Sequence, residues 1–287
     1  VWSFKSFTYN IYFLQMKILL NKKHLIKYID SKEIKLGFIP TMGGLHRGHI
    51  SLIQKAKKMK IKTLVSIFVN PKQFNNKNDF KKYPRNLDKD IKILRKINPN
   101  FLYLPNYKSI YNFKRNKPLK INKFSKILCG KFRSKHFNGV IDVIDRFIRI
   151  IKPKYIFLGE KDYQQLILIK DYIKDKYKTT VINQKTIRER NGLALSTRNY
   201  FLNKNDRVKA SYVHRILRFY KKRINNFPKL NVLKKKILND LKNLHIDKIE
   251  YLEFIDMETY KKMNIKTKKY RIFIAFYLNK VRLIDNI

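Results

Sequence analysis

The sequence predicts an α/β protein: a doubly wound sheet of parallel strands, followed by a smaller unit of α+β type. Three observations carry that expectation. Short β-branched apolar runs alternate with longer amphipathic ones, the signature of strand–helix–strand winding. Several of the short runs stop at proline or asparagine–proline, residues that break a sheet ladder. After about Ser196 the alternation gives way to a long helical stretch and then to strand-like runs.

Taken in order, Ile34–Pro40 (IKLGFIP) reads as a buried strand stopped by proline. Gly48–Lys60 follows as a helix, with Ile50, Leu52, Ile53, Ala56 and Met59 at helical spacing. Thr63–Val69 (TLVSIFV) is a second strand, ending at Asn70-Pro71. Leu87–Ile97 reads as a helix, and Phe101–Leu104 as a short strand before Pro105. Val140–Ile151 repeats apolar residues on one helical face. Tyr155–Leu158, Tyr163–Tyr172 and Thr179–Ile182 read as strand, helix and strand. Helical text then runs to about Leu244, and Ile249–Phe254 and Tyr270–Val281 each read as one strand. This divides the chain at 192/193, into a first domain over 16–192 and a smaller one over 193–287. Val1–Gln15 is aromatic-rich, with neither a small-residue cleavage site nor a clean apolar stretch, and reads as an extension rather than a signal peptide. Its deletion is expected to leave activity intact.

The formal net charge is +47, from 67 Lys and Arg against 20 Asp and Glu. A nucleic-acid partner would call for clustered arginine with aromatic platforms. The charge here is mostly lysine and dispersed along the chain, so it reads as a solvated surface, with neither nucleic acid nor membrane as partner. No apolar run reaches bilayer length. The single cysteine, Cys129, excludes an internal disulfide and suits a reducing cytoplasm.

Four segments carry chemistry. Pro40–His49 (PTMGGLHRGH) joins a strand to a helix through a glycine-rich turn. Free backbone N–H groups at such a helix start favour phosphate, and His46 and His49, three apart, can each donate to a phosphate oxygen. Gly159–Gln165 (GEKDYQQ) again follows a strand, with Lys161 as a point charge and Gln165 as a two-way hydrogen-bonding group. In Arg188–Asn199 (RERNGLALSTRN), Ser196, Thr197 and Arg198 form a hydroxyl-and-guanidinium cluster suited to polyphosphate. Ser66–Phe74 (SIFVNPKQF) places Asn70 and Gln73 just past a strand. Read singly, each has a plain structural explanation as a turn, cap or charged first helical turn.

Taken together, PTMGGLHRGH, SIFVNPKQF, KYPRNLDKD at Lys82–Asp90, KFRSKHFNGV at Lys131–Val140, GEKDYQQL and NGLALSTRN resemble the successive motifs of the pantothenate synthetase family, in order. The resemblance runs from about Met16 to Leu202 and weakens beyond. It implies a Rossmann-like nucleotidyltransferase domain with a small C-terminal domain closing over the cleft. It implies an ATP-dependent ligase in the cytoplasm that makes pantoyl adenylate and transfers the pantoyl group to β-alanine, with Mg²⁺ on the phosphates, no dedicated protein metal site, and a homodimeric assembly. ATP contacts are implied at Met42, Gly43, Gly44, Leu45, His46, Arg47, Gly48 and His49, at Gly159, Glu160, Lys161 and Asp162, at Ile187, and at Leu195, Ser196, Thr197 and Arg198. Gln73 is implied for pantoate and β-alanine and Gln165 for pantoate, with Asn70, Arg133 and His136 in the same pocket. His49 matches the residue usually assigned as proton donor. The chain departs from the family pattern at Gly44, at Lys72 (which would set a long charge beside the substrate pocket), at Ser134-Lys135 and at Thr197. A different nucleotidyltransferase, such as a cytidylyltransferase, would share His-x-Gly-His but has no reason to carry NPKQF and GEKDYQQ together.

Overall fold

A computed structural model describes residues 16–29, 35–114 and 118–287. The extension Val1–Gln15, and the expectation that it is dispensable, lie outside the described residues. Six parallel strands form one sheet: β1 (Lys17–Leu19), β2 (Leu36–Thr41), β3 (Lys62–Ile67), β4 (Phe101–Tyr103), β5 (Tyr155–Gly159) and β6 (Thr180–Gln184). Their spatial order is β1-β4-β3-β2-β5-β6. The helices are α1 (Lys22–Tyr28), α2 (Arg47–Lys58), α3 (Lys77–Lys82), α4 (Leu87–Ile97), α5 (Tyr107–Ile110), α6 (Cys129–Phe132), α7 (His136–Ile151), α8 (Tyr163–Ile173), α9 (Lys204–Lys222) and α10 (Leu230–Lys242). None among the described residues is long and apolar enough to cross a membrane.

The strands alternate their side chains between two cores, as a period of two requires. Phe38 and Leu64 join Ile141, Phe147 and Ile169 of α7 and α8 in one core. Ile39 and Val65 join Ile53 of α2 and Leu94 of α4 in the other. A third core lies between α9, α10 and an antiparallel sheet of β7 (Lys248–Asp256), β8 (Tyr270–Leu278) and β9 (Val281–Asn286).

Four differences from the sequence reading have a physical reason. β1 is a three-residue edge strand beside β4, too short to show a period. α7 starts at His136, one turn before its apolar stripe. The run from Tyr270 to Val281 is a hairpin: Asn279 and Lys280 both take positive φ, 46° and 65°, the sense of a two-residue type I′ turn. Finally, β2 runs through Pro40 to Thr41, paired with β3 along its whole length. Its pairing with β5 covers only Gly37 and Phe38. Proline cannot donate to a ladder, and past Phe38 the carboxyl ends of β2 and β5 part. This is also where the strand order reverses direction, the place where open α/β sheets bind ligands.

Candidate functional site

The parted ends of β2 and β5 open into a cavity whose wall is completed by the 184–199 segment, α7 and the small sheet. The turn after β2 is built on two left-handed glycines, Gly43 and Gly44, with φ of 79° and 62°. Asp90 of α4, only 2% exposed, accepts the N–H groups of Gly44 and Leu45, both at 2.8 Å. Thr197 closes the turn from the other side by donating to the Gly44 carbonyl at 3.1 Å. The backbone donors expected to face phosphate are therefore partly engaged. Gly48 N–H donates to His46 Nδ1 at 3.1 Å, and His49 N–H to the His46 carbonyl at 2.9 Å.

What this turn offers a ligand instead is imidazole. His46 caps α2, and its own N–H donates to Nδ1 of His49 at 3.3 Å. The two rings lie 4.1 Å apart, tilted by 36°. Because each Nδ1 accepts a backbone N–H, the neutral ring carries its proton on Nε2. Burial, then the neighbouring His49 and Lys161, pulls the pKa of His46 down to about 3, against an opposing pull from Asp162. Burial likewise lowers His49 to about 4, with Asp162 opposing. Two neutral imidazoles thus present Nε2–H donors side by side.

Gln73 follows β3 in a short 3₁₀ turn over Pro71–Gln73. Its amide donates to the Met42 sulfur at 2.7 Å. His136 has the opposite tautomer: Nδ1–H donates to the Gln73 carbonyl at 2.8 Å, and Nε2 faces Arg133 Nη1 at 3.3 Å. Burial, then the Arg133 charge, lowers His136 to about 3. On the opposite wall stand Lys161 and Asp162, whose side chains meet at 3.5 Å. Burial pushes the Asp162 carboxyl up, but Lys161 and Arg198 outweigh it and hold it below its usual range.

Of the sequence-predicted residues, the cavity wall includes Met42, His46, Gly48, His49, Gln73, Arg133, His136, Gly159, Lys161, Asp162, Gln165, Ile187, Leu195, Ser196, Thr197 and Arg198. Six stand outside that wall. Gly43 and Gly44 shape the turn, and Leu45 is buried in a core. Arg47 faces solvent. Glu160 accepts from Asn183 and lies 3.8 Å from Arg271. Asn70, 1% exposed, works behind the wall: it donates to the Gly139 carbonyl at 3.0 Å and accepts the Tyr111 hydroxyl at 2.9 Å. Lys72 also turns away from the cavity, toward Asp142 at 3.8 Å and over the Tyr111 ring at 4.1 Å. The expected long charge beside the substrate pocket is absent for that reason.

Sequence reasoning assigned no role to Asp90, Tyr83, Gln164, Arg282 or Asn286. Asp90 and Tyr83 sit inside the KYPRNLDKD motif, which was the available signal. Tyr83 and Arg282 line the cavity. Gln164 donates to the Phe124 and Ile127 carbonyls, each at 2.8 Å.

The three depressed histidines of the cavity have a consequence for stability. Each binds its proton less readily in the folded chain than an ordinary histidine, whose pKa is 6.5. Between the folded and unfolded values the unfolded chain binds more protons, so stability rises with pH there. Their contribution is complete above about pH 6.5 and is lost as pH falls toward 4. Urea midpoints measured from pH 7 down to pH 4 should fall, and the fall should be shallower in His136→Asn. A flat profile over that range would contradict the burial of these rings.

A family model described as pantoate–β-alanine ligase matches residues 16–287. The pantothenate synthetase of Vesicomyosocius okutanii is 41% identical over 275 residues, covering 96% of this chain and 94% of that one. The pantothenate synthetase of Francisella tularensis subsp. mediasiatica is 44% identical over 268 residues, covering 92% and 93%. A crystal structure of pantothenate synthetase from Thermus thermophilus matches with a TM-score of 0.88 at 29% identity, covering 95% of this chain and 99% of that one. The pantoate–β-alanine ligase of Francisella tularensis, complexed with beta-gamma ATP and β-alanine, matches with a TM-score of 0.78 at 42% identity, covering 95% and 97%.

Proposed function

The chain belongs to the pantoate–β-alanine ligase family, and from that premise we propose how its cleft condenses pantoate with β-alanine at the expense of ATP. The observation that carries the reading is the pair of neutral Nε2–H donors at the split between β2 and β5, facing Lys161 across the cavity. Pantoate brings its own nucleophile, since a carboxylate is ionised at neutral pH. The first step therefore needs alignment and charge neutralisation rather than a base. His46, His49, Lys161 and Arg198 bind the triphosphate. Ser196 adds its hydroxyl, whose oxygen accepts the Arg198 N–H at 3.2 Å. The Thr197 hydroxyl serves the turn through Gly44 instead. Gln73 and Gln165 orient pantoate, and Arg133, braced by His136, offers a cation to the small acids.

Mg²⁺ neutralises phosphate charge when bound. Among the described residues no cluster of three or more His, Cys, Asp or Glu side chains forms a metal cage. An ion carried on substrate phosphates and waters typically takes one or two carboxylates from the protein. Asp162 is the carboxylate we assign to it. In the second step the β-alanine amine attacks the acyl-adenylate, and closure of the 193–287 unit excludes water. A boundary at 192/193 is supported by Leu193, whose side chain packs in the third core. A homodimer is our reading from the family resemblance, and a cytoplasmic location from the lone cysteine.

ATP, Mg²⁺ and pantoate without β-alanine should release pyrophosphate and leave pantoyl adenylate bound. A covalent acyl-enzyme, on Cys129 or any serine, would sink this order of events. Mass analysis of the quenched protein and its ligand separates the two outcomes.

A further inference from the structure

The last strand of the small sheet reaches into the wall of the larger unit. Asp285 on β9 accepts two bonds from Arg188, at 2.7 and 2.8 Å. The next residue, Asn286, is 3% exposed. Its Nδ2 donates to the Glu160 carbonyl at 3.0 Å and to the Lys161 carbonyl at 2.8 Å. Its Oδ1 accepts from Arg271. A side-chain amide nitrogen has two N–H donors, and here both serve consecutive carbonyls of the 3₁₀ turn Glu160–Asp162. That turn has no side-chain cap of its own. Lys161 is a flexible ammonium on a four-carbon stem, so its aim depends on how firmly the turn beneath it is held.

We propose that Asn286 is a positioning residue for adenylation: its amide holds the 160–162 turn so that Lys161 meets the triphosphate, and it makes that placement depend on the seating of the small sheet. The proposal rests on the reading of Lys161 as a phosphate ligand given above. The coupling is direct, with one amide bridging β9 to two successive peptide groups. A displacement of β9 by the length of a hydrogen bond would release both carbonyls together.

Asn286→Asp is the selective test. It keeps the shape and the acceptor for Arg271, but sets a carboxylate oxygen against two carbonyls. Two half-reactions are read: pyrophosphate release from ATP and pantoate, and amide formation from preformed pantoyl adenylate and β-alanine. The expected result is a higher KM for ATP and about a tenfold loss in kcat/KM for adenylation, the scale of a small misplacement of a catalytic group. The amide step should be unchanged, and in a Lys161→Ala background Asn286→Asp should add only a fraction of its loss in the parent, since Asp162 alone remains on the turn to be displaced. Losses equal in both half-reactions, or a full further loss on top of Lys161→Ala, overturn the proposal. If Asn286→Asp lowers the thermal midpoint, Asn286→Ser, smaller and still a donor, is judged by the same two criteria. A Lys161→Ala variant with unimpaired adenylation removes the phosphate role of Lys161, and the proposal with it. A Lys161→Ala defect to which Asn286→Asp adds in full overturns the proposal alone.

Discussion

Replacing His49 with alanine is expected to slow formation of pantoyl adenylate by about a hundredfold, the effect of losing one donor aimed at developing negative charge, on the order of 3 kcal/mol. The donor is Nε2–H, because Nδ1 is engaged by the His46 N–H. Negative charge moves toward pyrophosphate as the P–O bond breaks, so the bond strengthens in the transition state. Preformed pantoyl adenylate should bypass most of the defect, since the phosphate chemistry is then complete. Single-turnover measurement of each half-reaction decides the matter: an equal loss in the amine step would replace the phosphate-donor role with a structural one. With a pKa of about 4, His49 acts as a neutral hydrogen-bond donor across the neutral range. The adenylation rate should then be flat in pH from about 6 to 8. An alkaline fall with an apparent pKa near 7 would mean that the bound nucleotide converts the ring to an imidazolium acid.

Gly139→Ala should destabilise the fold by about 3 kcal/mol, the cost of forcing a methyl group into a closed contact. Gly139 stands in the first turn of α7, against the Pro71–Gln73 turn. A Cβ there would lie 2.2 Å from the Lys72 carbonyl oxygen and 2.6 Å from the Gln73 backbone nitrogen. These are backbone atoms, so neither can swing aside as a side chain would. The Asn70 amide bond to the Gly139 carbonyl would stretch with the shift. Gln73 would move from the cavity wall, so activity should fall together with the denaturation midpoint. A variant with the parent's midpoint and activity would show that α7 retreats freely from this turn.

The alternating core was legible because the strands are short, β-branched and buried on both faces, as in Phe38-Ile39 and Leu64-Val65. The site histidines, Lys161 and the Ser196–Arg198 turn were legible because each follows a strand end or opens a helix. Asp90 was not, because its bonds join residues 45 and 46 positions apart, and no local pattern encodes such a contact. The direction of Lys72 was hidden for a similar reason: Asp142 and Tyr111 come from distant stretches of chain. The β8–β9 hairpin escaped because lysine at position 280 hides a turn more often written with glycine. The occupied backbone donors of the glycine turn and the α2 start required knowing that Asp90 fills the first and His46 the second.

The divergence of β2 and β5 past Phe38 has a further consequence. One jaw of the gap carries His46 and His49, and the other carries Lys161 and Asp162. Rungs that a continuous sheet would form between the peptide groups of β2 and β5 are missing there. On the binding mode proposed above, a triphosphate lodged across that space would stitch the two halves of the sheet where the ladder stops. The nucleotide would then be a structural member as well as a reactant, and the folded chain should gain rigidity along this seam each time it loads and give it up each time it discharges.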